Sequence, residues 1–160
     1  MKDWTKNLKL DGDELVTFFN SNFYNTDIYI RLMGTNDKVH EKQSNLINEI
    51  ISNNLDWQSK SVSAIVEYYK KSYEDYRIGW QMGGADEETI DKFLPKDINS
   101  KKLLTLITPS EIYIKPEENC EEGTFGFGLE CEWDEEHGLG VFFRDWVVFE
   151  VGGMDVSFSF

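Results

Sequence analysis

The clearest pattern in the sequence is a two-residue alternation of apolar and polar positions in its C-terminal part. Glycine or glutamate separates five odd-numbered apolar residues, which are Phe125, Phe127, Leu129, Cys131 and Trp133. Successive side chains of a strand point to opposite faces, so the alternation predicts a strand with one face on a core. Glu130 and Glu132 should then lie on the outward face.

The same phase returns in Leu139, Val141 and Phe143, after the interruption formed by residues 134–138. A hairpin with a five-residue loop would pair Trp133 with Leu139, Cys131 with Val141, and Leu129 with Phe143. A one-residue slip would place glutamates beside buried apolar residues, so burial determines the face. Gly138 is suited to the positive φ that such a loop requires.

A further turn is predicted at Gly152-Gly153, a dipeptide typical of two-residue hairpins. It would pair Val151 with Met154, Phe149 with Val156, and Val147 with Phe158. The predicted pairing points Val147, Phe149 and Val151 inward. A two-residue turn at Arg144-Asp145 would instead point the even-numbered residues inward, so the connection after Phe143 needs a three-residue turn or a bulge. Together these segments predict a C-terminal four-stranded antiparallel meander.

The N-terminal and central parts of the chain change from strand to helix patterns. Residues 15–19 and 27–33 are rich in β-branched and aromatic residues, which favours strands, although the first run also suits a short helix. Residues 40–54 have helical spacing of apolar residues. A second helix, capped by Asp56 and ended by Gly83-Gly84, carries one apolar stripe, formed by Val62, Ile65, Val66, Tyr69, Tyr73, Tyr76 and Trp80.

The segment before the meander contains shorter elements. A short helix starts near Asp86 and ends at Pro95. Residues 103–107 predict a buried strand broken by Pro109, and residues 111–115 predict another. Strands, then helices, then strands indicate a single α+β domain over residues 1–160, with a mainly antiparallel sheet and two to three helices packed on one face.

Charge is distributed unevenly along this chain of 160 residues, whose net charge is −14. Residues 111–160 contain 13 acidic and two basic residues, a net charge of −11. Such a surface repels nucleic-acid phosphates and anionic lipids, whereas it attracts a basic protein partner. Neither a membrane-spanning run nor a signal-peptide core is present, and the two cysteines do not form a disulfide framework, so the sequence indicates a cytoplasmic protein.

The loop from Asp134 to His137 is the first candidate for chemistry, because it offers three carboxylates and an imidazole. Such groups could bind a cation or act as acid and base. Their spacing matches neither the HExxH pattern nor a calcium loop, so no metal or cofactor is expected. A self-capping hairpin loop and a partner contact are the other interpretations.

Other candidate motifs have structural explanations. The run Gly126-Phe127-Gly128 does not open a helix, so it is not a phosphate cradle; its small residues would let another element approach the outer sheet face. A Cys131–His137 dyad conflicts with an inward Cys131. The aromatic stripe ending at Trp80 is more typical of a core than of a ligand pocket.

The acidic residues near the end of the first meander strand form the candidate partner-binding site. Its predicted members are Glu130, Glu132, Asp134, Glu135, Glu136 and His137. Residues 117–122 add four glutamates that could extend the same patch. The alternative is that these carboxylates only increase solubility.

The run Trp133–Val141 (WDEEHGLGV), followed by Val148–Gly152, resembles the C-terminal signature of a family of uncharacterised bacterial proteins. The resemblance implies a bacterial source and a small cytosolic α+β domain that is not an enzyme, and it carries no catalytic residues. Small acidic proteins of this kind include immunity proteins for toxins. Three hypotheses follow: an immunity-type binding protein, a metal-dependent or acid/base enzyme centred on residues 134–137, and a structural or regulatory domain.

Overall fold

The computed structural model describes residues 3–160, and its strands and helices are as follows. The strands are β1 (Lys9–Asp11), β2 (Glu14–Ser21), β3 (Thr26–Leu32), β4 (Ile107–Ile114), β5 (Phe125–Cys131), β6 (Leu139–Arg144) and β7 (Val147–Gly152). The helices are α1 (Glu41–Ser52), α2 (Asn54–Met82), α3 (Glu87–Phe93) and α4 (Ser100–Leu103). Short 3-10 helices span Trp4–Asn7, Glu117–Asn119 and Met154–Ser157, and the last is called the C-terminal 3-10 helix below.

All seven described strands form one sheet in the order of the chain, β1 to β7. Every neighbouring pair is antiparallel except β3 and β4, which are parallel. A parallel pair needs a long crossover, and here the crossover contains all four helices. The predicted α+β class with a mainly antiparallel sheet is therefore confirmed.

The C-terminal strands β5–β7 form a meander, and β4 adds a fourth consecutive antiparallel strand at its start. The predicted strand after Gly152-Gly153 is wrong. Residues 154–157 instead form the C-terminal 3-10 helix, whose first backbone N–H, that of Met154, donates to the carbonyl of His137 at 2.9 Å. The two glycines redirect the chain onto the sheet face and do not start a hairpin.

The predicted inward phase of β5 and β6 is confirmed. The odd-numbered apolar residues of both strands are buried, and Glu130 and Glu132 are exposed. The predicted register is wrong by four residues, since Leu139 pairs with Leu129 and Val141 pairs with Phe127. A four-residue shift is even, so it leaves every side chain on its predicted face.

The end of β5 explains this register. Cys131 pairs with Ile107 of β4, and the N–H of Glu132 donates to the carbonyl of Leu106 at 3.0 Å. Beyond Leu129 the strand therefore follows β4 and separates from β6. A longer loop results, and it ends at Gly138, which has the predicted positive φ of 60°.

The core lies between the inner sheet face and α1 and α2, with Trp57 near its centre. The Trp57 ring is fully buried and makes edge-on contacts with Phe125, Phe127 and Phe143, at centroid distances of 5.6, 5.1 and 6.2 Å. Its indole Nε1 donates to the carbonyl of Ile50 at 2.8 Å. One side chain thus joins α1, α2, β5 and β6.

The opposite face of β5 and β6 is covered by the C-terminal 3-10 helix. A Cβ atom on Gly126 would lie 1.6 Å from the carbonyl oxygen of Ser157, and one on Gly140 would lie 2.5 Å from that of Gly153. Only glycine allows backbone to approach this closely. The steric interpretation of the Gly126-Phe127-Gly128 run is confirmed.

The turn between β6 and β7 comprises Asp145 and Trp146, both with positive φ (51° and 61°). This geometry is typical of a type I′ hairpin turn, which usually contains asparagine or glycine. A bulge at Phe149 lets Val151 face inward, because Phe142 pairs with Glu150 while Phe143 pairs with Val148. A bulge is present as predicted, but it lies within β7, and the turn lies one residue later than Arg144-Asp145. The predicted inward positions of Val147 and Phe149 are wrong, since both side chains are exposed and Val148 packs against the core instead.

Two helix boundaries differ from their predictions. Asn53, not Asp56, precedes the first residue of α2, which follows α1 almost directly. Residues 100–103 form α4, whose N-terminus is capped by the Asn99 side chain, which accepts from the N–H of Lys102 at 2.8 Å. The buried strand predicted at residues 103–107 is therefore wrong except at Ile107, where β4 begins after a turn at residues 104–106. Pro109 does not end a strand but lies in β4 at an irregularity of the ladder.

Arg31 joins its own strand, β3, to three other strands on the outer sheet face. Its guanidinium contacts the carboxylates of Asp11 (2.8 Å), Glu111 (2.9 Å) and Glu14 (3.6 Å). The Arg31 and Glu111 side chains are only 22% and 16% exposed, so each depends on the other for compensation of its charge. This network links β1–β4 through their side chains on the outer sheet face.

Replacing Arg31 with methionine should lower the free energy of unfolding by about 1–3 kcal/mol, because Glu111 would keep a half-buried, uncompensated carboxylate. Urea denaturation measures this change. Arg144→Met is the control: Arg144 is exposed and stacks on Phe149 without a carboxylate partner in the described chain, so its loss should cost less than about 1 kcal/mol. Equal effects of the two substitutions would contradict the proposed role of Arg31.

Candidate functional site

The predicted partner-binding residues lie together at the C-terminal end of β5, in a surface called the acidic end. It comprises Glu130, Glu132, Asp134, Glu135, Glu136 and His137. Glu130, Glu132 and residues 135–137 are exposed, whereas Asp134 is half-buried. The sheet therefore presents five carboxylates within seven residues at one end.

Hydrogen bonds to Asp134 fix the conformation of this loop. The Asp134 carboxylate accepts a hydrogen bond from the backbone N–H of His137 at 3.2 Å. The backbone carbonyl of Asp134 accepts another from the N–H of Gly138 at 2.8 Å. The His137 Nδ1 lies 2.9 Å from the same carboxylate. Asp134 and His137 are thus used within the turn, while Glu132, Glu135 and Glu136 make no ion pair among the described residues.

The hydrogen bond and the charge of Asp134 raise the pKa of His137, with a further contribution from Glu136. Because the pKa of His137 is raised in the folded state, protonated His137 stabilises the turn at low pH, and this contribution is lost as the pH rises through the raised pKa.

An NMR titration should therefore give His137 a higher midpoint in the wild type than in Asp134→Asn, which removes the charge but keeps the shape. An unchanged His137 midpoint in the variant would show that the pair does not form in solution.

Two shallow depressions adjoin the acidic end. One, of about 300 Å³, is lined by the glutamates Glu130, Glu132 and Glu135 together with Leu106, Thr108 and Cys131. The other has a similar volume and is lined by Glu132, Asp134, Glu135 and Glu136 with Trp80, Phe93 and Trp133. Glu132 and Glu135 belong to both, and no lysine or arginine lines either depression.

Trp80 and Phe93 are the site residues that the sequence interpretation missed. Their rings stack at 6.1 Å with an interplanar angle of 29°, and the Trp80 Nε1 donates to the carbonyl of Trp133 at 2.8 Å. The spacing of apolar residues places Trp80 only in the core stripe of α2. It lies at the C-terminal end of that helix, where the stripe reaches the edge of the core and the ring is half-exposed.

The ring of Phe93 already interacts with one cation, since the Lys92 Nζ lies 4.9 Å from its centroid. Aromatic faces attract ammonium and guanidinium groups, and nearby carboxylates add charge attraction. The Trp80–Phe93 depression therefore has the chemistry suited to a lysine or arginine side chain.

The thiols are poorly suited to nucleophilic chemistry. Burial raises the pKa of Cys131 to about 12 and that of Cys120 to about 11, so both stay protonated at neutral pH. The Cys131 sulfur points to the core and contacts the carbonyl of Asp134 at 3.6 Å, while His137 faces the Asp134 carboxylate. The geometry therefore does not support the Cys131–His137 dyad.

Within residues 3–160, no group of three or more His, Cys, Asp or Glu side chains is arranged to hold a metal ion. Nor is any helix of that range both long and apolar enough to cross a bilayer.

The glutamates of residues 117–122 are not part of the acidic end, which corrects the extended-patch prediction. They precede β5, whereas residues 130–136 follow or end it. A seven-residue strand is roughly 20 Å long, so the two groups lie at opposite ends of the sheet. Glu122 instead lines a depression beside α1 with Lys42 and Cys120.

The fold and this site define an acidic α+β domain with a long crossover between two parallel strands of an otherwise antiparallel sheet. The chain belongs to the family described as Domain of unknown function (DUF6985), whose model matches residues 4–158. No curated protein and no solved structure matches the chain.

Proposed function

We propose that this protein is a non-enzymatic, bacterial protein-binding domain that engages a basic protein through its acidic end. The role resembles that of an immunity protein that neutralises a basic toxin or enzyme. The observation that carries the proposal is the pair of depressions that share Glu132 and Glu135 and lack any basic lining residue.

The acidic end offers two interactions to a partner. Exposed carboxylates attract a basic protein over long range and increase its association rate. The Trp80–Phe93 stack offers a flat apolar surface for one cationic side chain after contact. Aromatic residues at the centre of a charged rim are typical of protein–protein hot spots.

The chemistry of the site favours binding over catalysis. Asp134 and His137 are engaged with each other in the turn, which leaves glutamates as the free groups. Exposed glutamates that make no ion pair among the described residues are suited to recognition of positive charge.

Reversing three charges, Glu130→Lys, Glu132→Lys and Glu135→Lys, should weaken binding to the partner by about 100-fold or more, because attraction becomes repulsion. The partner is first isolated by affinity capture with the wild-type chain, and calorimetry then compares the two forms. The wild-type association rate should also fall steeply with added salt.

The matched control reverses three exposed acidic residues elsewhere, Asp13, Glu41 and Glu67, and so changes the net charge equally. It should retain most of the affinity. If both triple variants bind like the wild type, the acidic end is not the interface. If both lose binding equally, the interaction depends on net charge alone and the proposed site is also wrong.

A further inference from the structure

The last strand of the sheet, β7, has one side without a hydrogen-bonding partner. It pairs only with β6, and the backbone groups of residues 147–151 make no other hydrogen bond within the described chain. The bulge at Phe149 adds one backbone unit that has no opposite residue on β6. The outward backbone groups of these five residues are therefore unpaired, although α2 packs against β7 and the Lys60 Nζ donates to the neighbouring Trp146 carbonyl at 3.2 Å.

The side chains of β7 make this edge unusual. Val147 and Phe149 are 62% and 60% exposed, although both are large and apolar. The other edge, β1, has the protection that proteins commonly use: it is three residues long and contains the charged Lys9 and Asp11. The only charged residue within β7 is Glu150.

We propose that β7 is a docking edge to which an extended segment of the basic partner adds as an eighth strand. This inference rests on the proposed function and identifies a second contact surface for the same partner. Strand addition gains affinity from backbone hydrogen bonds and specificity from alternate side chains. The segment would place apolar side chains against Val147 and Phe149.

Charge determines which occupant suits this edge. Glu150, Asp145 and Asp155 are exposed on or beside β7, in a C-terminal part whose net charge is −11. One cation is also present, since the guanidinium of exposed Arg144 lies 4.2 Å from the centroid of the Phe149 ring, so the three carboxylates leave the edge acidic. A strand that alternates apolar residues with lysine or arginine complements these groups. A second copy of the chain would instead bring two molecules of charge −14 together.

A capped synthetic peptide of alternating valine and lysine is the probe. In an NMR titration of the full chain, we expect amide shifts concentrated in residues 147–151. The variant Val147→Lys/Phe149→Lys should bind it about tenfold more weakly. Leu55→Lys/Met82→Lys is the matched control, since it makes the same charge change at exposed apolar residues on α2 and should bind as the wild type does.

A second peptide, N-methylated at alternate residues, keeps the side chains and charge but cannot pair along a strand. Equal binding of both peptides, or no binding of the first, would overturn the proposal that β7 is a docking edge.

Amide shifts confined to residues 130–137 would also overturn this proposal, but they would not contradict the proposed function. Self-association that Val147→Lys/Phe149→Lys abolishes would identify a second copy as the occupant and contradict the proposal. Failure of the proposed function is detected separately, by the charge-reversal variants of the acidic end.

Discussion

Replacing Trp57 with alanine is expected to lower the free energy of unfolding by about 3–5 kcal/mol. Trp57 is fully buried among the rings of Phe125, Phe127 and Phe143, so truncation leaves a cavity between α2 and the sheet. It also leaves the carbonyl of Ile50 without its indole donor. Since whole domains are stable by only about 5–15 kcal/mol, this loss should be clear in a denaturant titration.

Leu55→Ala is the control for this experiment, because Leu55 lies two residues earlier on the same helix and is 65% exposed. Its effect should stay within about 0.5 kcal/mol. A Trp57→Phe variant should lie between the two, since it keeps an aromatic ring but loses the hydrogen bond. A small loss for Trp57→Ala would contradict the central position assigned to this side chain.

Gly126→Ala is expected to detach the C-terminal 3-10 helix from the sheet. The added Cβ atom would lie 1.6 Å from the carbonyl oxygen of Ser157, and backbone cannot yield as a flexible side chain can. Overpacking of this kind costs about 1–3 kcal/mol or more. Limited proteolysis should then cleave near residues 154–160, and Phe142 should become exposed.

Gly79→Ala is the control, and it is expected to change the free energy of unfolding in the opposite direction. Gly79 lies in α2, and an added Cβ atom there meets nothing within 4 Å. Alanine should therefore stabilise the helix by about 0.5–1 kcal/mol. If Gly126→Ala is as stable as Gly79→Ala, the C-terminal 3-10 helix does not cover β5 in solution.

Sequence periodicity predicted the faces of β5 and β6 but neither their pairing nor the faces of β7, where Val147 and Phe149 are exposed. Burial selects which side chains of β5 point inward, and it cannot distinguish Leu129 from Trp133 as the partner of Leu139, because both lie on the same face. The register depends on Cys131, which follows β4 to pair with Ile107. That contact joins segments far apart in sequence.

Turns without a typical composition were the other source of error. Asp145-Trp146 adopts positive φ without glycine or asparagine, so no local signal placed this turn. Gly152-Gly153 has a typical hairpin composition, yet it leads into the C-terminal 3-10 helix. The small residues Gly126, Gly128 and Gly140 provide the space for that helix on the sheet face.

The candidate site was predicted in part. The exposed glutamates follow from the alternation in β5, and the Asp134–His137 turn has the sequence of a self-capping loop. Trp80 and Phe93 could not be assigned to the same surface, because α2 and α3 reach the acidic end only through tertiary packing. The only available sequence signal was the position of Trp80 in the last turn of the long helix, just before Gly83-Gly84.

The most direct test of the acidic end as an interface is hydrogen–deuterium exchange of the chain alone and in complex with its captured partner. The exposed loop should exchange quickly in the free chain, and residues 130–137 should exchange more slowly in the complex. Slower exchange in residues 147–151 would additionally support docking at β7. Unchanged exchange in residues 130–137, together with protection elsewhere on the surface, would contradict the proposed role of the acidic end.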